Sequence, residues 1–176
     1  RSRDAAMVEA CVGLGSNLGD RRGHLRAALA ELRRAGRLLA VSPLYETEPV
    51  GLREQPLFLN AVARLETELA ARQLLERLLD IEAERGRARR EKDGPRTLDL
   101  DLLCYGDRIL KEEGLVVPHP RLHLRRFVLE PLAAAAPGWR HPVLGKTVEE
   151  LLAGLEDRAV VAEVEGAGWG ADLLSP

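Results

Sequence analysis

Asp93-Gly94-Pro95-Arg96-Thr97-Leu98-Asp99-Leu100-Asp101-Leu102-Leu103 is the stretch on which the fold turns. Gly94-Pro95 signals a turn, and from Leu98 apolar and acidic residues alternate with the period of a half-buried strand. Leu98, Leu100 and Leu102 then face a core, while Asp99 and Asp101 share the other face. At about 3.3 Å of rise per residue their Cα atoms lie roughly 6–7 Å apart. Two acids so placed either decorate a solvated strand face or converge on a cation that offsets their repulsion. Two-metal phosphoryl-transfer sites hold their ions about 3.5–4 Å apart, and carboxylates with substrate phosphates are the usual magnesium ligands.

Just upstream, Glu84 to Arg96 carries six basic residues against three acids and runs straight into the carboxylate pair. A charge run of this kind is either a solvated loop or one half of a polyphosphate site. In the second case arginines fork onto phosphate oxygens while carboxylates hold the metal.

A chain of 176 residues suits one domain with a sizeable core, expected over residues 7–165, with 1–6 and 166–176 as loosely ordered termini. Apolar content of 45% with 31% charged residues is that of a soluble globular chain, and at 3% aromatic content each ring is informative. A net charge of −2 argues against a general nucleic-acid surface. No apolar run is long enough to cross a membrane and residues 1–4 lead into no signal-peptide core, so the expected location is the cytoplasm. Cys11 and Cys104 fall in apolar runs and read as small hydrophobes rather than a disulfide framework. Arginine rather than methionine at position 1 suggests a trimmed chain or a piece of a longer polypeptide.

In chain order, Met7 to Leu14 reads as a strand and Gly13 to Asp20 as a tight glycine-rich turn that lacks the ending of a phosphate loop. Asp20 caps a helix in which Leu25, Ala28, Leu29 and Leu32 recur at helical spacing. Leu38 to Thr47 is a strand interrupted at Pro43, which makes it an edge strand or one that carries a bulge there. The loop 48–56 is long enough to fold over a pocket, and Phe58 to Glu66 returns as a strand with Phe58 and Asn60 on one face. That pair is either a core phenylalanine with a capping asparagine, or a ring and an amide that stack on and read a flat heterocycle. Residues 70–85 form the clearest helix, with Leu74, Leu75, Leu78, Leu79 and Ile81 on one side.

Tyr105-Gly106-Asp107-Arg108 makes a turn into a return strand at Ile109-Leu110. His119 and His123 could suggest a metal pair, but Pro118 and Pro120 exclude the helix that such ligands would need, which favours phosphate or structural contacts. Phe127 to Ala136 is a short helix, Thr147 with Glu150 makes a capping box, Asp157 to Val164 is a last strand, and 166–176 is a loose tail.

Gly94-Pro95-Arg96-Thr97-Leu98-Asp99-Leu100-Asp101 resembles the signature of the 6-hydroxymethyl-7,8-dihydropterin pyrophosphokinase family. The resemblance extends to Gly13 through Gly19, Tyr45 through Pro49, Phe58 through Ala61, Ile81-Glu82 to Gly86-Arg87, Val117 through Arg121, and Arg125 to Phe127. It implies a single-domain ferredoxin-like α+β fold with helices packed on an antiparallel sheet. It also implies transfer of pyrophosphate from ATP to the hydroxymethyl group of the reduced pterin, releasing AMP, in folate biosynthesis. By the same resemblance Asp99 and Asp101 hold two magnesium ions and Arg87 and Arg96 are catalytic arginines. Arg87, Arg96, Glu82, Arg89, Leu102, His119 and Arg125 fall at the ATP site. Phe58 and Phe127 sandwich the pterin, and Asn60, Thr47 and the backbone at Val50 and Gly51 read its edge. The partners implied are ATP and a reduced pterin, with no nucleic acid, membrane or obligatory protein partner, and a monomer is expected. Two departures stand out: Asp93 occupies the place of a tryptophan common in bacterial relatives, and Leu79 that of a polar adenine-site residue. A two-magnesium phosphohydrolase or a non-catalytic nucleotide-binding regulator would reuse part of this set, but neither needs the basic loop, both aspartates and the paired rings together.

Overall fold

The computed structural model describes residues 6–48, 54–86 and 97–176. Strands β1 (Val8–Ser16), β2 (Arg37–Val41), β3 (Leu44–Thr47), β4 (Phe58–Thr67), β5 (Asp99–Tyr105) and β8 (Val161–Glu165) form one antiparallel sheet in the order β5-β1-β4-β3-β8, with β2 also paired to β4. Helices α1 (Arg21–Leu32) and α2 (Ala71–Glu84) complete a ferredoxin-like α+β core. Their apolar stripes, Leu25, Ala28, Leu29 and Leu32 on α1 and Leu74, Leu78 and Ile81 on α2, pack with Val12, Leu14, Leu98, Leu100 and Leu102 from one sheet face. On the opposite face α3 (Arg126–Ala135) and α4 (Val148–Ala153) enclose a second core with Cys11, Val62, Leu103 and Cys104.

The alternation expected from Leu98 holds as far as Leu102. Val12 then pairs with Leu102 but Cys11 with Cys104, so Leu103 is the extra residue of a bulge. Leu103 and Cys104 accordingly both face α3.

Several local expectations are met. Asp20 Oδ1 accepts from the Gly23 amide at 3.0 Å, and Thr147 and Glu150 form the capping box of α4. The break at Ser42-Pro43 separates β2 from β3, although β3 is no edge strand because β8 covers it.

Four details depart from the sequence reading. Gly13 and Gly15 lie inside β1, which runs to Ser16, rather than in the turn. Leu79 is 46% exposed, because at 100° per residue it turns away from Leu78, and the slot one turn after Leu78 is filled by Glu82, itself 3% exposed. The turn after Tyr105 forms, but β6 (Leu110–Glu112) pairs with β7 (Leu115–Val117) in a separate ribbon instead of returning along β5. Residues 166–176, expected to be loose, form a 3-10 helix (Ala167–Leu173) that buries Trp169, whose indole N–H donates to the Ser42 carbonyl at 2.7 Å. Ser175 then bonds Leu38 in both directions, and Arg26 grips Asp172 with two bonds of 2.9 Å. One large ring in an aromatic-poor chain supplies the burial that orders this segment, and Gly170 lets it approach Leu29. No helix among the described residues is long and apolar enough to cross a membrane.

Candidate active site

Directly opposed residues of an antiparallel ladder point to the same face. Asp99, Gly15 and Asn60 therefore form one row across β5, β1 and β4, and Asp101, Gly13 and Val62 the next. The two glycines sit between the carboxylates and the β4 side chains and leave a trough where larger residues would stand. A Cβ on Gly15 would lie 2.8 Å from Asn60 Oδ1 and 3.6 Å from Phe58 Cδ1, and one on Gly13 would touch Leu103 at 3.5 Å. α3 closes the trough into a cavity of about 140 Å³, lined among others by Phe58, Asn60, Asp99, Asp101, Arg125 and Phe127.

The walls of this cavity are positioned by polar contacts. Asn60 Nδ2 donates to Thr47 Oγ1 in a short bond of 2.5 Å, which leaves Oδ1 as the acceptor over Gly15. Arg125, the N-cap residue just before α3, stacks its guanidinium over Phe127 with 5.5 Å to the ring centre. Residues 55–57, which lead into β4, are tied down by side chains of Asn17 and Arg21. Asn17 Nδ2 donates to Gln55 Oε1 at 2.8 Å and to the Pro56 carbonyl at 3.0 Å, and Arg21 bonds the Leu57 carbonyl and Glu46.

β5 is the edge strand that carries both aspartates, and its outer side is fastened by side chains and by the 115–119 segment. Glu82 Oε2 accepts from the Leu100 amide at 2.7 Å, between the two aspartates in sequence, and the His119 amide donates to the Leu103 carbonyl at 2.8 Å. His119 Nδ1 accepts from the Arg121 amide at 3.2 Å, so the neutral ring carries its proton on Nε2. Burial, with Arg125 and Arg121 nearby, lowers the His119 pKa against the opposing pull of Asp101.

Of the residues the sequence nominated, Thr47, Phe58, Asn60, Asp99, Asp101, Arg125 and Phe127 line this one cavity. His119 stands close enough for Asp101 and Arg125 to act on its charge. Glu82 and Leu102 do not face the cavity: Glu82 is buried on α2 beneath the edge of β5, and Leu102 belongs to the core of the other face. Val50, Gly51, Arg87, Arg89 and Arg96 lie outside the described residues. His123 packs its ring edge against His141 at 5.9 Å, a structural contact.

The sequence reading missed Gly13, Gly15 and Leu103 as lining residues. The visible signal for the glycines was their spacing of two, which on a strand puts both on one face. The place of Leu103 depends on the bulge, and no spacing in the chain announces it.

No group of three or more metal-binding side chains occurs among the described residues. Two carboxylates on one face, opposite glycines that leave room for a ligand, nevertheless suit magnesium, which takes one or two carboxylates and completes its shell with waters and substrate phosphates.

The model of the family described as 7,8-dihydro-6-hydroxymethylpterin-pyrophosphokinase (HPPK) matches residues 11–137. A Pseudomonas aeruginosa protein named 2-amino-4-hydroxy-6-hydroxymethyldihydropteridine pyrophosphokinase is 49% identical over 144 residues, covering 81% of this chain and 88% of its own length. A fission yeast (Schizosaccharomyces pombe) relative named folic acid synthesis protein fol1 is 40% identical over 153 residues, or 86% of this chain but 21% of that protein. Among solved structures, a Plasmodium falciparum HPPK-DHPS protein crystallised with pterin and p-hydroxybenzoate superposes with a TM-score of 0.69 at 16% identity, covering 85% of this chain and 44% of that one. At that identity the likeness is one of fold, and the chain spans less than half of the fused protein. The family match, running from Cys11 across the aspartate pair and through α3, includes every described residue that lines the cavity, and this chain belongs to the 7,8-dihydro-6-hydroxymethylpterin-pyrophosphokinase family.

Proposed function

We propose that this chain transfers the pyrophosphoryl group of ATP to 6-hydroxymethyl-7,8-dihydropterin, giving the pterin diphosphate and AMP, a step of folate biosynthesis. The observation that carries the reading is the single cavity in which two aromatic rings and an amide meet two carboxylates. Phe58 and Phe127 hold the flat ring between them. Asn60 Oδ1 accepts from an N–H of its edge, while Thr47 keeps the amide from flipping. Asp99 and Asp101 would hold two magnesium ions, which would supply neutralisation of the polyphosphate charge.

Arg125 offers its guanidinium to the phosphates from the mouth of the cavity, and neutral His119 donates through Nε2. The basic run expected to supply Arg87, Arg89 and Arg96 leaves directly from the end of α2. Catalysis of this type rests on positioning and charge stabilisation, so buried Glu82 contributes by fixing the strand that carries the carboxylates.

The test is AMP release from ATP and magnesium with and without 6-hydroxymethyl-7,8-dihydropterin, with the pterin product followed by chromatography. AMP and pterin diphosphate should form in equal amounts and only together. Phosphate release that ignores the pterin would replace this reading with a hydrolase.

A further inference from the structure

Cys11 and Cys104, the chain's two cysteines, take no part in the chemistry above. They stand directly opposite each other on β1 and β5. Two residues away, the Gly106 amide bonds the Glu9 carbonyl at 2.7 Å, and since antiparallel pairs alternate, Cys11 and Cys104 are also a hydrogen-bonded pair. Their Cα atoms are then about 5.5 Å apart, at the most common separation in disulfides. Because Leu103 is the bulge residue, both thiols turn to the α3 side, where both side chains are buried in the same core.

That face opens into a second cleft of about 590 Å³, lined by both cysteines together with Glu9, Arg64, Trp139 and Arg140. Arg64, held by the Ala135 carbonyl at 2.8 Å and by Glu9 at 3.1 Å, brings a guanidinium beside Cys11. Its charge favours the Cys11 thiolate, against the stronger effects of the neighbouring Cys104 thiol and of burial, which raise the pKa.

We propose that Cys11 and Cys104 are a reversible dithiol/disulfide couple reached through this cleft by low-molecular-weight disulfides. Cys11 Sγ loses its proton to solvent and attacks one sulfur of the disulfide RSSR; the S–S bond breaks and RS⁻ leaves to be protonated. Cys104 Sγ, deprotonated in turn, attacks Cys11 Sγ of the mixed disulfide and expels the second RS⁻. Two protein thiols are oxidised and one RSSR becomes two RSH. Closure reaches the first cavity through Leu103, which adjoins Cys104, packs under Gly13 and lines that cavity. Oxidation therefore weakens pterin binding severalfold, a consequence that rests on the proposed pterin site.

The full chain is incubated with oxidised glutathione at about pH 8.5, where the thiolate fraction is larger. It is then denatured in acid, alkylated with N-ethylmaleimide and weighed intact. Wild type should lose both alkylation sites together and about 2 Da, with dithiothreitol restoring both thiols, while Cys11→Ser and Cys104→Ser each keep one glutathione. Two thiols that still alkylate, a lasting glutathione adduct on wild type, or a disulfide-linked dimer would overturn the couple. Titration of the reduced and oxidised forms with a pterin analogue reads the coupling. Equal affinities would overturn the coupling alone, and the mass result depends on no substrate, so it stands apart from the proposed function.

Discussion

Gly15→Ala isolates how closely β1 must pass beneath the proposed pterin site. The added Cβ would sit 2.8 Å from Asn60 Oδ1, and reaching an ordinary contact of 3.4 Å requires the amide to retreat by about 0.6 Å. Asn60 cannot retreat freely, because Nδ2 is held by Thr47 Oγ1 and Phe58 stands 3.6 Å from the same Cβ. The backbone itself tolerates alanine, since Gly15 is not among the glycines with positive φ. Replacing a strand glycine lowers the entropy of the unfolded chain by about 0.4–1 kcal/mol, which offsets the strain and keeps folding stability within about 1 kcal/mol of wild type. The cost falls on the ligand: misplacing one neutral hydrogen bond to the ring is worth about 0.5–1.5 kcal/mol, roughly a twofold to tenfold rise in the pterin dissociation constant. Calorimetric titration of a pterin substrate in the presence of a non-reacting ATP analogue measures this, with the nucleotide titrated separately. An unchanged pterin affinity, or an equal loss for the nucleotide, would refute the close-approach argument.

Asp99→Ala or Asp101→Ala should lower magnesium-dependent turnover by about 10²-fold or more, since bound metal supplies several kcal/mol of charge stabilisation. Near-normal turnover of either variant would remove the aspartates from the site. Phe58→Ala, which deletes one ring wall, should weaken pterin binding about tenfold in the same titration while leaving nucleotide affinity within about twofold. Burial keeps His24, His119 and His141 neutral in the folded chain with pKa values below the ordinary 6.5. The unfolded chain therefore takes up protons first, and denaturant midpoints should drop as the pH falls from about 6.5 toward the lowered values. A second drop should follow in the acid range as Glu150 and Asp157, held down by hydrogen bonds, and Glu165 and Asp172, held down by Arg22 and Arg26, are protonated; midpoints flat between about pH 7.5 and 5.5 would contradict the histidine argument.

What the sequence alone determined follows from periodicity and local chemistry. The alternation from Leu98 to Leu102 set which face of β5 carries Asp99 and Asp101, because a strand sends successive side chains to opposite sides whatever it pairs with. The caps at Asp20 and Thr147 were legible because capping is decided within four residues. Phe58 and Asn60 were legible as a pair on one face for the same reason as the aspartates; their residue types left a core and a ligand reading open, and the family resemblance chose the second.

Only the tertiary structure decided what lies across from these residues. The register of β1 against β4 and β5 places Gly15 between Asn60 and Asp99, and the chain separates those three positions by dozens of residues. The bulge at Leu103 turns Cys104 toward Cys11, and buried Glu82 on α2 satisfies an edge amide of β5. Trp169 finds its burial over α1 and β2 instead of hanging in a loose tail. Each of these depends on a partner distant in sequence: an open edge amide, a bulge or an empty space beside a helix exists only after strands have paired and helices have packed.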